Sequence, residues 1–373
     1  MPDRWLLLVG TALAGSALIS THRACVQAVG GTAARLDASG VEHVPAFTWP
    51  LSELTSRSFK ERYEKYVKSP FPLPPALTAP ASEWTRFRAD EDGAAEVSVA
   101  AALARHRVDV VETRIAGVDA AIISPKEGVA AHNRGRVLIY LHGGGFFMSR
   151  NLKSAMVGGI GVAAVGKIKV IALAYRQTPE FRYPAASEDV ASVYRALLQD
   201  HQPGEIGIFG CSAGGVLTSQ SVAWFQSHGL PRPGAVAVMC TAPMVRGNGP
   251  YLHAAGDSRF WGANGNFLGP WPAAETANAY FAGVRSDDAG AYPGSDDAVL
   301  AKFPPTLMVS GTRAVEMSPV VAAHAKFLSL GVHSSLYILE GGWHGAPLGS
   351  EGTPEGDAFI AYLGRWFDEN LER

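Results

Sequence analysis

Ser212 stands in Gly210-Cys211-Ser212-Ala213-Gly214-Gly215, a G-x-S-x-G segment. An apolar run, Ile206 to Phe209, enters it, and a stretch with helical patterning leaves it. Small flanking residues permit a sharp strand-to-helix turn, which lifts a serine hydroxyl clear of the backbone and within reach of a carbonyl. A hydroxyl is a poor nucleophile until a base takes its proton, and histidine suits that task near neutral pH. With 11 His in the chain, a lone histidine carries little information. His344 is set apart by its place in Gly341-Gly342-Trp343-His344-Gly345, a glycine-rich loop after the last strand-like run. The order of nucleophile first and histidine last is the order this chemistry takes on a strand-helix scaffold.

A third segment, His142-Gly143-Gly144-Gly145, closes the apolar run Val137 to Leu141. Glycines let main-chain N–H groups approach a substrate with no side chain in the way. Acyl transfer needs such donors, aimed at the oxygen that becomes negative in the transition state. Gly143 and Gly144, with the N–H of Ala213, are read as that oxyanion hole, and His142 as structural. The blander readings are a flexible glycine loop and a tight turn around a buried serine. Strand before, helix after and the order of the segments argue against both.

These residues need a scaffold. Arg107 to Ile115 and Val118 to Ile123 read as two early strands joined at Gly117. Val137 to Leu141, Ile168 to Ala174, Ile206 to Phe209, Ala235 to Met239 and Thr306 to Val309 are apolar on both faces, as strands between helix layers must be. Ser335 to Leu339 reads as a last strand. Helical patterns fill the gaps over Pro184 to Leu198, Ala213 to Ser227, Pro319 to Leu330 and Asp357 to Leu371. The alternation predicts an α/β fold with a mostly parallel central sheet flanked by helices. Ala46 to Asp92 is rich in Pro and aromatics and reads as a covering piece, with a short helix over Ser56 to Val67. Between Pro243 and Phe303 the rhythm breaks, as at a lid or binding insertion.

Composition bounds the function. The 373 residues are 47% hydrophobic and 18% charged, with a formal net charge of -2, which gives no reason to expect nucleic acid. The first residues carry a weakly positive start, an apolar stretch from Trp5 to Ile19 and a polar end, the layout of a secretory signal peptide over residues 1–28. That stretch is short for a membrane span, so no stable span is expected in the mature chain. Export to the periplasm or medium is expected if the leader is cleaved, and a membrane-anchored or cytoplasmic chain otherwise. Cys25, Cys211 and Cys240 make no disulfide framework and no zinc cluster.

With these motifs in place, the chain resembles the bacterial hormone-sensitive lipase-like esterases. Tyr175-Arg176-Gln177-Thr178-Pro179-Glu180 and Tyr183-Pro184-Ala185-Ala186-Ser187-Glu188-Asp189 are similar to that family's YRLAPE and FPAALED segments. Tyr280-Phe281-Ala282-Gly283 and the run from Phe303 to Arg313 match as well, over roughly residues 105–370. The resemblance implies an α/β-hydrolase fold over residues 105–373 and carboxylesterase activity on small, short-chain acyl esters. It implies no metal and no organic cofactor. It also implies a cap built from residues 29–104 and an insertion, about residues 244–303, before the seventh strand. Phe146 and Phe147, with Trp261, Phe267 and Trp271 of the insertion, are the candidates to line the substrate pocket. A monomer or homodimer is expected.

Two positions depart from the family. Cys211 replaces an Asp outside the triad, so a local packing change is expected there. Ala314 stands where the family carries its catalytic Asp. Glu316, two residues on, is the preferred acid, with Asp287, Asp288 and Glu340 as the other candidates. Ala314 also keeps open a non-catalytic ligand-binding homologue, and the motifs alone do not separate an esterase from an amidase or lactonase.

Overall fold

A computed structural model of the chain describes residues 34–44, 48–69, 74–148, 151–243 and 279–372. The expected leader and Trp261, Phe267 and Trp271 lie outside the described residues. Met1–Leu51 and Ser52–Arg373 are separate compact units. In the first, β1 (Arg35–Leu36) and β2 (Glu42–His43) pair as an antiparallel hairpin.

The second unit opens with two helices, α1 (Arg57–Lys68) and α2 (Ala81–Arg105). β3 (Val108–Ile115) and β4 (Val118–Pro125) follow as a hairpin, turned at Ala116 and Gly117 with φ of 47° and 86°. Positive φ at both turn residues matches the twist of the flanking strands. The rest alternates: β5 (Val137–Leu141), α3 (Leu152–Gly166), β6 (Lys169–Leu173), α4 (Ala185–Leu197), β7 (Ile206–Cys211), α5 (Ala213–Ser227) and β8 (Ala235–Met239). β9 (Thr306–Gly311), α6 (Met317–Ser329), β10 (Ser334–Leu339) and α7 (Pro354–Asn370) complete it. The eight strands lie in the order β10-β9-β8-β7-β5-β6-β4-β3. Only β4 runs against its two neighbours, and the other pairs are parallel. The expected α/β-hydrolase architecture is the one observed.

β5, β7, β8 and β9 are buried along their whole length, as strands covered on both faces must be. One apolar layer holds Val190 of α4, Leu217 of α5 and Phe327 of α6. The other holds Ile160 of α3, Phe367 of α7 and Val99 and Ala102 of α2. The chain goes from β5 to β6 on one side and then to β7 on the other. That reversal opens a crevice beyond the carboxyl ends of β5 and β7, where ligands bind in open α/β sheets. The glycine loop and the serine turn leave from those two strand ends.

Two helices leave little trace in the sequence. α2 runs for 25 residues, yet only Trp84, Val99 and Ala102 are buried, too few to write a period. α3 carries Gly158, Gly159, Gly161 and Gly166, and glycine weakens a helix. A Cβ at Gly158 would overlap the Tyr140 ring, so close packing against β5 explains the glycine there. Among the described residues no helix is long and apolar enough to cross a membrane.

Candidate active site

β7 ends at Cys211, and Ser212 follows with φ 60° and ψ -124° before α5 begins. This is a sparsely populated conformation for a residue with a side chain, and such strain concentrates at functional sites. Its surroundings fix it. Ser212 N–H donates to Met239 O at 2.9 Å, and Ser212 O accepts from Val216 N at 3.0 Å. A Cβ at Gly214 would overlap the carbonyl of Leu141, so glycine is required where the turn presses on β5. Ser212 is half-buried, so its hydroxyl keeps access to the crevice.

His344 joins the two other members. Its Nε2 lies 3.0 Å from Ser212 Oγ, and its Nδ1 lies 3.0 Å from Glu316 Oε2. A carboxylate oxygen accepts, so Nδ1 carries the proton and Nε2 is left to accept from the serine hydroxyl. Glu316 is 8% exposed. Its other oxygen, Oε1, is buried with no protein partner. The imidazole is therefore the group that meets this carboxylate's charge. Ala314 is fully buried and bears no acid, and the longer side chain two residues on makes the contact. Of the other candidate acids, Asp287 pairs with Arg285, and Asp288 accepts from the N–H groups of Gly290 and Ala291.

The glycine loop meets the serine from β5. A Cβ at Gly143 would sit 3.3 Å from Ser212 Cβ and 3.0 Å from Cys211 O, so a side chain there would crowd the serine turn. Gly143 and Gly144 are half-buried. Ala213 opens α5, where N–H groups have no carbonyl one turn earlier and the helix dipole favours negative charge. His142 braces the loop. Its ring stacks on Tyr175 at 4.5 Å between centroids, and its Nδ1 donates to Gly143 O at 2.7 Å. Tyr175 Oη donates to His142 O at 2.6 Å.

Phe146 and Phe147, expected to line a substrate pocket, are 3% and 2% exposed. Phe146 stacks on Tyr280 at 4.2 Å, and Phe147 lies 6.3 Å from Phe87. They anchor the glycine loop in the core instead, because packing on Tyr280 and on Phe87 of α2 leaves them buried.

Three features have no clear sign in the sequence. Cys211, expected only to repack locally, forms a disulfide with Cys240 across a sequence separation of 29. Two cysteines thus cross-link the end of β7 to the residue after β8, although they make no framework. Trp343 packs against Phe59, Tyr63 and Tyr66 of α1, with centroids 5.1 to 5.7 Å apart. Arg313, beside the Glu316 turn, donates to Tyr63 Oη at 3.3 Å and lies over that ring. Aromatic spacing in α1 was the available signal, but it does not name its partner. Among the described residues no three His, Cys, Asp or Glu side chains cluster as a metal site requires.

Comparison with known proteins places residues 138–348 in a match to the model of a family described as alpha/beta hydrolase fold. An acetyl-hydrolase of Streptomyces hygroscopicus is 38% identical over 119 residues, 30% of this chain and 37% of that one. The carboxylesterase/phospholipase LipF of Mycobacterium tuberculosis is 27% identical over 244 residues, 64% of this chain and 63% of its own. The matched region is thus less than two thirds of either relative. The crystal structure of an esterase, E25, superposes with a TM-score of 0.73 at 27% identity, over 88% of this chain and 99% of that chain.

Proposed function

Because the chain belongs to the α/β hydrolase fold family, we propose that it is a carboxylic-ester hydrolase working through Ser212. The observation that carries this reading is one imidazole, His344, within 3.0 Å of both Ser212 Oγ and Glu316 Oε2. In the proposed reaction His344 Nε2 takes the hydroxyl proton as Oγ adds to the ester carbonyl. The N–H groups of Gly143, Gly144 and Ala213 hold the oxygen that becomes negative. The C–O bond to the alcohol then breaks, and Nε2 returns the proton to the departing oxygen. Water, activated by the same nitrogen, releases the acid from the acyl-serine. Glu316 holds the ring in the required tautomer and faces the imidazolium that forms.

Small acyl groups are the proposed substrates, a reading supported by the names of relatives, among them an acetyl-hydrolase. α1 and α2 are proposed to serve as the N-terminal part of the cap. The Cys211–Cys240 disulfide supports export, since such bonds persist in oxidising compartments.

The test is hydrolysis of a chromogenic acetate ester by the whole chain. Ser212→Ala is expected to abolish the product burst and labelling by an organophosphate. Unchanged turnover in that variant would remove Ser212 from the reaction, and a wild type inert to every ester and to the label would end the esterase reading.

A further inference from the structure

Beside the oxyanion loop, between α2 and α3, lies a cavity of about 310 Å³. Gly143 and Gly144 form part of its wall, so it adjoins the position proposed for the substrate carbonyl. Five side chains with polar atoms also line it: Glu91 and Ser98 of α2, Tyr140 of β5, His142 just after β5, and Ser154 of α3.

Their bonding leaves acceptors on offer. His142 is 4% exposed, and its Nδ1 proton goes to Gly143 O. Its Nε2 is buried with no hydrogen-bond partner, and Nε2 of this tautomer can only accept. Burial pushes the ring's pKa down to about 4, so the lone pair is present at neutral pH. Ser154 Oγ donates to Asp92 at 2.8 Å, and Ser98 Oγ donates to Ala94 O at 3.2 Å, which spends both protons inside the protein.

Glu91 is half-buried and has no hydrogen bond or salt bridge among the described residues. The neighbouring cations are engaged elsewhere: Arg88 with Glu180 and Thr178 O, and Lys153 with Glu96. Burial first, then the charges of Asp90 and Asp92, push the Glu91 carboxyl above its ordinary range. A positive group in the cavity would favour the ionised carboxylate and so oppose both effects.

We propose that this cavity is a subsite for a protonated amine on the substrate, with Glu91 setting the preference and His142 Nε2 accepting an N–H. The inference rests on the ester-hydrolase reading and narrows it to esters that carry an ammonium on either the acyl or the alcohol side. An anionic ester would meet like charge there and be disfavoured.

Two isosteric pairs test it at neutral pH on the whole chain. Dimethylaminoethyl acetate against isopentyl acetate places the charge on the alcohol side, and ethyl dimethylglycinate against ethyl isovalerate places it on the acyl side. One pair is expected to favour the amine in kcat/KM by about tenfold, the scale of a partly screened charged hydrogen bond. Glu91→Gln, which keeps the shape, is expected to bring that ratio close to one. Parity in both pairs, or a preference that survives Glu91→Gln, overturns the subsite while leaving the esterase reading intact. If no ester is cleaved, that reading fails by itself. The subsite is then judged by NMR titration with dimethylethylammonium, where weaker binding to Glu91→Gln supports it and equal binding overturns it.

Discussion

Ser212 and the N–H groups proposed as oxyanion donors are held by main chain and by a covalent bond. The turn is pressed between the Leu141 carbonyl and Met239 O, and the preceding residue is cross-linked to Cys240. His344 and Glu316 sit on loops held by side chains from far away in the sequence. Trp343, next to the histidine, packs on three aromatics of α1, and Arg313 reaches Tyr63 across 250 positions. The nucleophile side therefore has little freedom in which residues it accepts. The histidine side has more: there the carboxylate that meets His344 comes from Glu316, while position 314, where the resemblance implies an acid, is a buried Ala. Backbone contacts fix a site by excluding atoms, whereas side-chain contacts leave room for a longer arm to replace a shorter one.

The largest expected effect falls on the tolerant side. Glu316→Gln keeps the shape and removes the charge that faces the imidazolium. Loss of the equivalent charge in a serine protease costs about 10⁴ in turnover, and we expect a fall of a hundredfold or more in kcat with little change in KM. A near wild-type kcat would mean that another group orients His344. The contrast between the two halves would then need a different acid loop.

The rigid side is tested by removing its cross-link. The double variant Cys211→Ala, Cys240→Ala avoids leaving free thiols. Closing a loop of separation 29 stabilises by roughly 3 to 4 kcal/mol in the chain-entropy account, and chemical denaturation of the variant is expected to read a loss of that order. A fall in kcat of about tenfold should accompany it if the bond also positions Ser212, with KM unchanged. Wild-type stability and rate together would show that backbone contacts suffice to hold the turn.

The same contrast governs what the sequence discloses. The strands of the buried sheet are legible because two-sided burial writes continuous apolar runs, and Val137–Leu141 is observed as read. The serine turn and the glycine loop are legible because close main-chain approach admits only glycine, and that requirement is local. The partners of Trp343 are not legible, since an aromatic in α1 looks the same whether it packs on His344's loop or on the sheet. The disulfide is equally silent: nothing in two lone cysteines gives the spacing of β7 and β8. α2 was lost because a helix that buries three residues of 25 leaves almost no period, and with it went Glu91 and the cavity wall. Glu316 is reachable as a candidate because a vacancy at Ala314 calls for a carboxylate nearby, but only geometry separates it from Asp287, Asp288 and the exposed Glu340.

The smallest effect concerns His142, which belongs to the rigid half although it is a side chain. Burial depresses its folded pKa from 6.5 to about 4, below the value in the unfolded chain. The unfolded state therefore takes up the proton first as pH falls. Stability from this residue is complete above about pH 6.5 and drains away as pH falls toward 4. The expected loss is about 2 kcal/mol by roughly pH 5, taking the shift as good to a unit. Denaturation measured across that window should show the slope in the wild type and a flatter one in His142→Gln. If the two slopes coincide, the ring's folded pKa is not depressed: Nε2 then gains a proton as pH falls below about 6.5, as in the unfolded chain, and the acceptor wall of the cavity loses one of its members over that range. A pH-stability slope would thus report on the neutral state of a group that also bears on substrate preference.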